Sequence, residues 1–127
     1  MSMVSVLVAA AAATTIAVGS WLHVPGGTWN PSAQVVAQAA SRLHTYALQQ
    51  ASAEGITVRP WSGYTFQYQG RKLRGRQVLY INAFCSSPPP DAKREFVVVA
   101  DGGTCYFRAT YDPATGQFAG MLFNGVA

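Results

Sequence analysis

The hydrophobic period of this chain changes once, at Glu54–Gly55, and that change limits the folds open to it. Before it, Val35, Val36, Ala39, Ala40, Leu43, Tyr46, Ala47 and Gln50 recur at helical spacing. Asn30 reads as an N-cap, Pro31 as the first helical residue and Gly55 as the left-handed C-cap. One helix is therefore predicted from Pro31 to Ala53, with an apolar stripe that must pack on something. After it the period is two: Tyr64, Phe66 and Tyr68 alternate with Thr65, Gln67 and Gln69. Strands are predicted there and at Gln77–Cys85, Glu95–Ala100, Thr104–Tyr111 and Gln117–Asn124. Turns fall at Gly70–Gly75, Asp101–Thr104 and Asp112–Gly116, the last two opening on Asp. This is an α+β chain: one long helix packed on a four- to five-stranded antiparallel sheet.

Charge is distributed just as unevenly. The first charged side chain is Arg42, and only 11% of the residues are charged. Residues 3–22 are apolar or small, a run of about the length that spans a bilayer or forms a secretory signal. Two readings stay open. Ala17-Val18-Gly19 offers a small-x-small cleavage site. Alternatively the segment is kept as an anchor resting on Val4, Leu7, Ile16, Trp21 and Leu22, with Trp21 at the interface. Residues 1–23 are thus a signal peptide or anchor helix, 24–30 a breaker-rich linker, and 31–127 the α+β domain. The protein is expected to be exported, periplasmic or on the extracytoplasmic face of the inner membrane, tethered or released.

Two cysteines after an export signal read as one disulfide, Cys85–Cys105. A plain meander would put them at opposite ends of the sheet, too far apart to bond. Either the thiols are free, or the loop Ser86–Arg94 crosses back over the sheet so that the strands carrying the two cysteines lie antiparallel with both cysteines at one end; the crossover is the preferred reading.

Catalytic chemistry finds no footing. His23 and His44 have no Cys or carboxylate at ligand spacing, so neither metal nor cofactor is implied. Asp101 and Asp112 belong to turns, Glu54 to the helix end, and Asp91 and Glu95 to a loop beside Lys93 and Arg94. No carboxylate pair is forced together, and no nucleophile elbow is present. The net charge of +4 gathers at Arg71, Lys72, Arg74 and Arg76. That cluster suits an acidic partner or an anionic surface; it is too short for a nucleic-acid footprint. Aromatic residues are numerous for so small a domain. Trp29, Trp61, Tyr64 and Tyr68 are candidate binding contacts, since Tyr and Trp favour interfaces.

A helix followed by a curled sheet resembles the cystatin-like architecture over residues 26–124, in element order alone. The inhibitory motif is not matched: Gln34-Val35-Val36-Ala37 is followed by Gln38 where cystatins carry Gly, and it lies within the helix. Protease inhibition is therefore not implied. Tyr80–Cys85 with Asp101–Phe107 is similar to the ending of small uncharacterised exported bacterial proteins. The expected function is a non-enzymatic, protein-binding domain, an accessory or assembly subunit of a bacterial envelope or membrane complex. The alternative is a secreted inhibitor or small-ligand-binding module released by signal cleavage.

Overall fold

The computed structural model describes residues 21–126. Val4, Leu7 and Ile16, and the leader reading that rests on them, lie outside the described residues. Chain order is β1 (Trp21–His23), α1 (Ala33–Glu54), β2 (Thr65–Leu73), β3 (Arg76–Phe84), β4 (Tyr106–Asp112) and β5 (Gln117–Phe123). Single 3₁₀ turns lie at Trp61–Gly63 and Gly103–Cys105. The strands form one sheet in the order β1-β2-β3-β4-β5.

The helix begins two residues later than its first sequence signal. Ser32, not Asn30, is the N-cap, and its hydroxyl accepts the Val35 amide at 3.2 Å. Both residue types can cap. Trp29 decides between them, because it bridges to Gly70 and holds the chain extended up to Pro31. The other end is as expected. Gly55 is left-handed at φ 71°, and the Gly55 and Ile56 amides close back on Ser52 and Ala51. Val36, Ala39, Leu43, Ala47 and Ala51 are buried along one stripe. Against it pack Phe66 of β2, Leu79, Ile81 and Ala83 of β3, Phe107, Ala109 and Tyr111 of β4, and Phe123 of β5. Leu43 is fully buried at the centre; truncating such a leucine to alanine costs about 2–5 kcal/mol.

Three expectations are corrected. The sheet is mixed, not antiparallel: β1 pairs parallel with β2, Trp21 opposite Phe66 and His23 opposite Tyr68. Trp21 and Leu22, read as the end of an anchor helix, are thus residues of an edge strand. Trp21 stacks on Phe66 at 4.8 Å between ring centres, and this contact gives its apolar ring a place in the core. Second, Glu95–Ala100 is not a strand. Third, Asp101–Thr104 is not a hairpin turn, because no strand precedes it; Gly102 is left-handed and leads into a 3₁₀ turn.

The chain from Ser86 to Ala100 is instead a strap over the sheet face opposite α1. Its fastening is polar. Gln67 and Asn82, neighbours across β2 and β3, are buried on that face. The Gln67 amide nitrogen donates to the Ala92 and Glu95 carbonyls, both at 2.7 Å. Its oxygen accepts from the Asn82 side chain and from the Val97 amide, both at 2.9 Å. Asn82 also donates to the Val97 carbonyl at 2.9 Å. Gln67 therefore uses two donors and two acceptors, its full capacity. The strap's backbone groups spend their bonds on these side chains, which is why the apolar run Phe96–Val99 forms no ladder.

The disulfide is present. Cys85 and Cys105 have alpha carbons 5.0 Å apart, and Phe84 lies opposite Tyr106 where β3 and β4 run antiparallel. The crossing loop returns the chain as the spacing requires. Among the described residues no helix is long and apolar enough to cross a membrane.

Candidate functional site

The four hairpin cations do not form one patch. Leu73 and Arg76 close a two-residue turn in which Arg74 and Gly75 have φ of 52° and 80°, as a tight hairpin requires. Arg71 lies on the outer face, with its guanidinium 3.8 Å from the Tyr80 ring centre and 5.3 Å from that of Phe96. Its Nε donates to the Gln69 side chain at 2.8 Å. Arg76 donates Nε and one terminal nitrogen to a single Asp112 oxygen, at 2.9 and 2.6 Å. The Arg76 hydrogen bond holds the Asp112 carboxyl below the usual carboxylate range, against a weaker upward push from desolvation. Lys72 and Arg74 remain exposed at the tip.

The four candidate aromatics have structural duties. Trp29 donates its indole N–H to the Arg71 and Val78 carbonyls, at 2.9 and 3.2 Å. Its backbone passes so close to Gly70 that a β-carbon there would strike the Trp29 carbonyl oxygen. Trp61 packs on the core and stacks on His44 at 4.3 Å. Tyr64 is buried; its hydroxyl donates to the Thr104 carbonyl and accepts the Arg59 amide. Burial pushes the Tyr64 phenol up. Tyr68 is half-buried and stacked on His23 at 5.0 Å. Tyr64 is thus a core residue, and Trp61 is partly buried against the core.

The uncovered surface lies elsewhere, around β4 and β5. Inward-facing Phe107, Ala109 and Tyr111 place Arg108 and Thr110 on the outer face, opposite Leu122 and Gly120. A β-carbon added at Gly120 would meet nothing within 4 Å. Leu122 is 59% exposed, and Val98, on the strap, is 82% exposed. Asn124 joins the two regions by donating to the Val99 and Asp101 carbonyls, at 2.6 and 2.9 Å. Both are large apolar side chains left open to solvent, and Leu122 lies opposite Arg108. Sequence reasoning missed them because Val98 was assigned to a strand, and Leu122 lies in a strand whose two faces the sequence did not tell apart.

A groove lies on the other side of β5, between it and α1. Arg42, Thr45, Tyr46 and Gln49 line it from the helix, and Gln117 and Phe118 from the strand. Tyr46 and Phe118 stack at 4.6 Å, and Arg42 donates to the Gly116 carbonyl at 2.6 Å. Desolvation raises the Tyr46 phenol. The groove carries one cation and no carboxylate. Among the described residues no three His, Cys, Asp or Glu side chains come together as metal ligands would. Comparison with protein families, curated proteins and solved structures finds no match to this chain.

Proposed function

We propose that this chain is a non-enzymatic, extracytoplasmic protein-binding domain, an accessory or assembly subunit of an envelope complex. The observation that carries the reading is the exposure of Leu122, opposite Arg108 on the outer sheet face, together with that of Val98 on the strap that crosses this face. An apolar centre flanked by arginine is the composition of a partner-binding patch. The disulfide supports a location outside the reducing cytosol. The element order is in keeping with a cystatin-like architecture, a scaffold on which sheet faces and loops are free to bind.

The test is site-specific photo-crosslinking in the native cells, with the probe at Val98 or Leu122 and, as control, at Ser52 on the exposed helix face. Adducts of one defined mass at the first two positions and none at the control are expected. No adduct at Val98 or Leu122 overturns the reading. A second reading, a small-ligand module, is favoured by the α1–β5 groove, with its aromatic pair and polar rim.

A further inference from the structure

We propose that the free edge of β5 accepts an extended segment of another protein as a sixth strand, with alternate side chains of that segment entering the α1–β5 groove. The proposal rests on the protein-binding reading and adds to the outer-face patch a second contact along the strand edge next to it.

Three observations carry it. The first is the edge itself. Both β1 and β5 are outermost in the sheet, but they are guarded differently. β1 is only three residues long, which blunts it. β5 is Gln117-Phe118-Ala119-Gly120-Met121-Leu122-Phe123, with no Lys, Arg, Asp, Glu or Pro. Its one irregularity is at its start: Thr110 pairs with Gly120 and Tyr111 with Phe118, so Ala119 is bulged out. From Gly120 to Phe123 the strand is regular.

The second is the direction of the free groups. The Asn124 amide donates to the Tyr106 carbonyl, so Asn124 and Tyr106 form a hydrogen-bonded pair. Antiparallel ladders alternate such pairs with non-bonded ones. Leu122 and Gly120 therefore turn their N–H and C=O towards β4, whereas Met121 and Phe123 turn theirs outwards. A partner strand finds two donors and two acceptors in register.

The third is the groove at the start of the same strand, beside Gln117 and Phe118. In strand addition, main-chain bonds supply affinity and side-chain wells supply specificity. Here α1 runs alongside β5, and the Tyr46–Phe118 pair offers an apolar floor while Arg42 stands at the rim. One hydrogen bond to Gly116 leaves Arg42 with unused donors. With one cation, no carboxylate in the groove and a net charge of +4, the complementary segment is anionic. It is an extended, acidic and apolar peptide: a carboxylate meets Arg42, and an apolar side chain covers Phe118.

The experiment uses the full, disulfide-bonded chain and a display library of random peptides about ten residues long. Selected peptides are expected to alternate apolar with polar residues and to carry Asp or Glu. Adding the synthesised consensus peptide should protect the Met121 and Phe123 amides from hydrogen exchange. Arg42→Gln should weaken binding roughly tenfold, as loss of a charge-assisted contact does. Met121→Pro, which removes an outward N–H and no β4 bond, should abolish it, while Lys93→Ala, exposed on the strap and away from this edge, leaves it nearly intact. A library that returns no binder overturns the proposal. So does binding lost in Leu122→Asp but unchanged in Arg42→Gln and Met121→Pro; the protein-binding reading then stands without strand addition. Protection of Met121 and Phe123 that rises with protein concentration in the absence of peptide would make the occupant a second copy. Protection lost on removing residues 1–20 would make it the chain's own leader. Either result also overturns the proposal.

Discussion

A glutamine decides how the outer face is closed. Gln67 is fully buried and makes four hydrogen bonds, three of them to strap backbone. Gln67→Leu keeps the size but leaves two carbonyls and an amide without partners under the strap. Unpaired buried groups cost about 1–3 kcal/mol each, and partial rehydration lowers the sum, so a loss of roughly 2–3 kcal/mol is expected. Chemical denaturation measures it, and hydrogen exchange should show the loss concentrated in residues 92–97. Arg76 and Asp112 give a second prediction, with a sign. Asp112 titrates lower in the folded chain than a free carboxyl because Arg76 hydrogen-bonds its charged form. Such a group adds stability above its unfolded pKa and loses that contribution as pH falls through the folded one. Arg76→Gln should move the Asp112 midpoint up towards the ordinary carboxylate range, followed by its side-chain carbon shift in NMR. The accompanying loss of stability should vanish at pH below that range. Neither residue announced itself in the sequence. Gln67 looked like the solvent-facing partner of an alternating strand, and Asp112 like a turn residue.

At the scale of elements, the disulfide and the strap act together. Cys85 and Cys105 bracket a separation of 20 residues, and the bond closes the loop that contains the strap. Chain-entropy arguments assign such a closure about 3 kcal/mol. The Cys85→Ser, Cys105→Ser double variant is expected to lose about 2–4 kcal/mol in denaturant melts. The same loss should not appear in the oxidised protein when Lys93 or Arg94, on the exposed side of the strap, is changed to Ala. The cysteine pairing and the return crossing were legible beforehand, because bond geometry rejects a simple meander. The third strand was not. Phe96, Val97, Val98 and Val99 have strand-like residue types, yet β-propensity expresses fit to a half-buried pleated surface. β3 and β4 are already paired with each other, so this segment cannot enter between them, and it lies across the face. β1 was illegible for the converse reason. Three residues, Trp21–His23, are too few to show a period and follow directly on an apolar run.

Across the whole molecule, two layers and a strap leave one side of the sheet unfinished. The helix covers the inner face from β2 to β5, and Gln67 and Asn82 fasten the strap over β2 and β3. Val98, Leu122 and the β5 edge remain open at the far side. The crosslinking and peptide experiments above both belong to this scale, since each depends on how separate elements share a border. From the sequence alone came the class, one helix followed by a sheet, the helix stripe, the left-handed stop at Gly55 and the disulfide. These are determined locally: by side-chain period, by the conformations glycine permits, and by the reach of a covalent bond. Only the tertiary structure decided which aromatics are core, which cations are already paired and which strand, among the described residues, is left without a neighbour. Residues far apart in the chain compete for the same surface, and Arg71 over Tyr80, Trp61 on His44 and Trp29 against Gly70 are outcomes of that competition.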